Sequence, residues 1–75
     1  MCLNEVKLNN TVIVSNINCK PAIKQRLLDL GLVNGTLITP IFTSPFGNPT
    51  AYEFRGNIMA MRDDIAKKIN IKRGT

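Results

Sequence analysis

The sequence predicts a mainly β chain, folded as a small, strongly bent barrel with two short helices. Two observations carry this. The 75 residues contain four or five short runs with strand character, separated by tight-turn signals. A flat sheet of that size would leave one apolar face uncovered, so wrapping it and filling the gaps with helices is the economical packing. The length also argues for one domain over residues 1–75, with a small core.

Residues 11–17, TVIVSNI, are rich in β-branched side chains and read as the first strand. Residues 19–31 read as a helix inserted between the first two strands. Asn18 is placed to cap it, and Pro21 falls in its first turn, where a missing N–H does no harm. Ile23, Leu27 and Leu30 lie at i, i+4 and i+7 and form one core-facing stripe. Leu28 lies off that stripe, and Gly31 is placed to end the helix in the left-handed conformation.

Asn34-Gly35 signals a turn into a second strand over residues 36–43. Pro40 lacks a ladder donor, which marks either an edge strand or a bulge. The loop SPFGNP (44–49) carries a large apolar ring, Phe46, between two prolines and beside a glycine. That ring is either a plug for the chain's own core or a contact held out for a partner. Residues 50–55 form a third strand, with Tyr52 and Phe54 on one face and Glu53 and Arg55 on the other. A reversal at Gly56-Asn57 leads into a fourth, residues 57–62. Apolar residues occupy both of its faces, so it is either covered twice or part of an exposed patch. Residues 63–69 read as a short helix capped by Asp63, with Ile65 and Ile69 on one face and Lys67 and Lys68 at its C-terminal end. A last strand runs through Ile71, and residues 72–75 read as a frayed tail.

The residue inventory excludes several chemistries. There is no histidine, and neither Ser15 nor Ser44 has a base partner, so no nucleophilic site is legible. Asp63-Asp64 are adjacent on a helix and do not face one another, which favours a capping role over a metal pair. Cys2 and Cys19 read as two reduced thiols and cannot complete a four-ligand soft-metal site. The five glycines form no phosphate-binding loop. No catalytic residue, metal ligand, cofactor site or small-molecule substrate is therefore expected. No secretory signal or membrane-spanning run is legible, so the expected compartment is the cytosol. A net charge of +5, spread along the chain, leaves nucleic acid as an alternative partner, although only four aromatics are available for stacking.

The pieces RLLDLGL (26–32), the following Val33-Asn34-Gly35, SPFGNPTAYEFRG (44–56) and the closing strand and helix (58–69) resemble the FeoA family. These are the small cytosolic companions of the bacterial ferrous iron transporter FeoB, and the resemblance spans roughly residues 3–71. It implies an SH3-like barrel without enzymatic activity, and an accessory, protein-interaction role in ferrous iron uptake. The implied partner is an FeoB-type permease, met at its GTP-binding domain or its cytosolic face. The chain itself is expected to be a monomer or a weak homo-oligomer, located at the membrane only through that partner. Candidate contact residues are Leu28, Leu30 and Gly31 at the helix end and Pro45, Phe46 and Gly47 in the turn. The chain departs from the family at Asn34, where the family often has Pro, and at Pro40, where it usually has a β-branched or other strand residue.

Overall fold

The computed structural model describes residues 1–73. A 3₁₀ turn at Leu3–Glu5 precedes β1 (Val12–Ile17), α1 (Pro21–Asp29), β2 (Leu37–Thr43), β3 (Thr50–Phe54), β4 (Asn57–Met61), α2 (Asp63–Ala66) and β5 (Ile69–Arg73). The strands form one antiparallel sheet in the order β4-β3-β2-β1-β5. Its concave face is the core: Val12, Val14, Ile17, Ile38, Tyr52, Phe54, Met61, Ile69 and Ile71 from the strands, closed by Leu3, Leu27, Leu32 and Ala66. The expected succession of elements along the chain, with the inserted helix and the short C-terminal helix, is present.

Two bulges shape the wrap. On β1 the pairing with β5 shifts between Val14 and Asn16, which returns Ile17 to the core face on which Val12 and Val14 already lie. On β2 the pairing with β3 shifts between Pro40 and Phe42. The bulge resolves the two readings of Pro40: β2 lies between β3 and β1 and is not an edge strand. Ile41 is the extra residue, and it turns Phe42 away from the buried side shared by Ile38 and Pro40.

Several local expectations are corrected. Asn18 does not cap α1; its backbone N–H donates to the Lys68 carbonyl and its side chain accepts from Asn16, so Lys20 occupies the cap position. Leu30 does not join the core stripe. The helix ends at Asp29 and Leu30 is the residue after it, 43% exposed, while Leu32 is fully buried in its place. The β3–β4 reversal is one residue earlier than expected, at Arg55-Gly56, whose φ values of 53° and 78° fit a two-residue hairpin turn. Arg62, not Asp63, occupies the cap position of α2 and makes no side-chain capping bond, and the helix stops at Ala66, so Ile69 is buried by a strand and not by a shared helical face. Lys72 and Arg73 belong to β5, where Arg73 pairs with Val12; Gly74 and Thr75 lie outside the described residues.

Candidate partner-binding surface

The end of α1 is built by its own carbonyls. The Gly31 N–H donates to the Leu28 carbonyl at 2.9 Å and the Leu32 N–H to the Leu27 carbonyl at 2.9 Å, the paired bonds of a Schellman terminus. This requires the left-handed φ of +96° at Gly31, where a Cβ would also lie 2.7 Å from Cδ of Arg55. The buried Thr36 hydroxyl accepts from the Val33 N–H and donates to the Gly31 carbonyl, which fastens the helix end to the start of β2. Gly31 is thus accounted for by chain geometry. Leu28 stands 49% exposed beside a shallow groove with Ile17, Lys24, Val33 and Asn34.

The loop at 44–49 is pinned at both ends. Ser44 Oγ donates to the Asn48 carbonyl at 2.7 Å and accepts from the Asn48 N–H at 3.1 Å. The Ser44 N–H donates to the Pro49 carbonyl, and the Gly47 N–H closes a turn onto the Ser44 carbonyl. Asn48 Oδ1 accepts from the Asp63 N–H at 3.0 Å, so the loop also supplies the first turn of α2 with a capping acceptor. Phe46 sits at the tip and is 94% exposed. The plug reading of Phe46 fails: the ring covers nothing in its own core, which is filled by Tyr52 and Phe54.

The two groups of candidates are not brought together. Gly31 packs under Arg55, beyond the C-terminal end of β3, whereas Pro45, Phe46 and Gly47 precede its N-terminal end. At roughly 3.3 Å per residue, β3 puts about 13 Å of strand between them.

Two further features were not legible in the sequence. Lys20, Lys67 and Lys68 converge with Asp64 on a cleft around Cys19, joined by the nearby charge of Lys24. Partial burial pushes the Cys19 thiol pKa up, and the Lys68 and Lys24 ammonium groups pull against that shift. The second feature is the outward face of the β2-β3-β4 sheet, which carries Phe42, Ala60 and Ile58 in the open. Both depend on tertiary convergence, and only the two-sided apolar pattern of residues 57–61 hinted at the latter. Among the described residues, no group of three or more His, Cys, Asp or Glu side chains is gathered to hold a metal ion.

A family model described as FeoA domain matches residues 1–73. Among solved structures, FeoA from Chlorobium tepidum is 31% identical, with 100% of this chain and 71% of that chain covered and a TM-score of 0.95. The FeoA-like protein from Clostridium acetobutylicum is likewise 31% identical, with 100% and 87% coverage and a TM-score of 0.87. FeoA from Stenotrophomonas maltophilia, complexed with zinc, is 26% identical over 96% of this chain and 89% of that one, at a TM-score of 0.83. That protein is described as an SH3 domain protein and has been put forward as an activating factor for bacterial ferrous iron transport. No curated protein matches the chain.

Proposed function

The chain belongs to the FeoA family, and from that premise we propose that it is a non-catalytic accessory protein of ferrous iron uptake, acting in the cytosol by binding the cytosolic part of an FeoB-type transporter. No helix among the described residues is long and apolar enough to cross a membrane, so a place at the membrane is reached through the transporter. The observation that carries the reading is Phe46: a 94% exposed aromatic ring on a loop already fixed by its own hydrogen bonds. Large rings in a preformed setting make effective interface anchors, because they bury much area at little cost in lost conformational freedom. Pro45 and Gly47 shape the turn that presents the ring, and Leu28 and Leu30 are two further exposed apolar side chains at the end of α1.

The test is Phe46→Ala, read in two assays. Thermal stability is expected to stay within a degree or two of wild type, because the ring has no packing to lose. Affinity for the transporter's cytosolic region is expected to fall at least about tenfold, as for a hot-spot truncation. Full binding by the variant would remove Phe46 as the anchor, and no binding by the wild-type chain to the transporter would remove the proposal itself.

A further inference from the structure

The strand β4 ends the sheet, and its outer edge is unusual in what it lacks. Its residues, NIMAM, include no lysine, no proline and no charge of any kind, although edge strands are ordinarily guarded by such residues. The ladder with β3 fixes which backbone groups are free. Phe54 and Asn57 flank the two-residue turn as a hydrogen-bonded pair, and such pairs alternate along an antiparallel ladder. Tyr52–Met59 and Thr50–Met61 are therefore bonded pairs, while the N–H and C=O groups of Ile58 and Ala60 point away from β3. The same two residues carry their side chains on the outward face. Ile58 is 62% exposed, and Ala60 continues a row through Ala51 to Phe42, itself 60% exposed.

We propose that the occupant of this edge is a second copy of the same chain, paired antiparallel about a two-fold axis at Met59. This goes beyond the transporter-binding reading and does not rest on it. Self-pairing in this register sets the free groups of Ile58 against those of Ala60 of the second copy, and the reverse. The symmetry gives both rows the same continuation: Phe42, Ala51 and Ala60 of one copy run on into Ile58 of the other. Charge fits as well. A chain of net charge +5 repels its copy in general, but the paired segment is neutral. The segment is short, so the dimer is weak and its population depends on concentration.

The experiment is sedimentation equilibrium of the full chain from micromolar to millimolar concentration, with amide hydrogen exchange at both ends of that range. Wild-type mass is expected to rise toward that of a dimer, with the amides of Ile58 and Ala60 becoming at least tenfold more protected. Ala60→Pro removes an N–H that β3 does not use, and Ile58→Lys places a charge on an exposed position, so both are expected to keep the wild-type melting temperature. Each should weaken self-association at least tenfold. A wild-type chain that stays monomeric at millimolar concentration would overturn the proposal. So would a dimer that persists in both variants, or one that leaves the Ile58 and Ala60 amides unprotected.

Discussion

The four aromatic side chains show how far a residue's fate follows from its neighbours in sequence. Tyr52 and Phe54 are buried as simple alternation predicts. Phe42 is not, because Pro40 lies just before a bulge that changes the phase of the strand, and alternation alone cannot register an inserted residue. The local sequence leaves Phe46 two readings, since a ring in a turn can fold inward or outward with the same local geometry, and the ring is in fact exposed. Cys19 offers a test at this scale. Burial raises its pKa, so above the ordinary thiol range near pH 8.5 the unfolded chain gives up the proton more readily than the folded one. The folded state then loses stability as pH rises from there toward the raised value, and the contribution is intact below it. Melting curves between pH 7 and pH 10 should fall less steeply for Cys19→Ala than for wild type; equal slopes would show that the thiol is not perturbed.

Among the elements, the end of α1 and the loop before β3 have opposite characters. The sequence marks both, through RLLDLGL and SPFGNP, but only the structure separates their roles. The first motif is explained by packing: Leu27 and Leu32 are buried, and Gly31 and Thr36 turn the chain into β2. The helical stripe misplaced Leu30 because a Schellman terminus breaks the 3.6-residue period one residue before Gly31. Gly31→Ala is expected to lower unfolding free energy by about 1–2 kcal/mol in urea titrations, the cost of a left-handed φ with a Cβ, and to displace the Arg55 side chain. Leu27→Ala should cost more, about 2–5 kcal/mol, as a core truncation. The loop behaves differently. Ser44→Ala removes both side-chain bonds to Asn48 and should lower stability by no more than about 1 kcal/mol. Its larger effect is expected on transporter affinity, because the ring is then no longer held in place before binding. Faster amide exchange at Gly47 and Asn48 would report that loosening directly.

At the scale of the molecule, a body of 30 × 27 × 23 Å has room for one core and little else. The core is already filled by aliphatic side chains, Tyr52 and Phe54, and among the described residues no buried side-chain polar atom lacks a partner. What remains for function is the surface, which is why the barrel was readable from strand runs and turn signals while the contacts were not. Surface patches are assembled from distant segments, as with the lysines around Cys19, and no local pattern records that meeting. The rival reading, a basic barrel on nucleic acid, has two of its four aromatics locked in the core. Oligonucleotide binding is accordingly expected to be undetectable even at low salt, where phosphate contacts are strongest. The central proposal is that Phe46 is the chain's contact with an FeoB-type transporter. Amide shift mapping of the labelled chain, titrated with the transporter's cytosolic region, tests it most directly. The account predicts the largest shifts at residues 44–49, with the 58–60 edge responding to protein concentration and not to the transporter. Shifts confined to other surfaces, with the Phe46 loop unmoved, would contradict it.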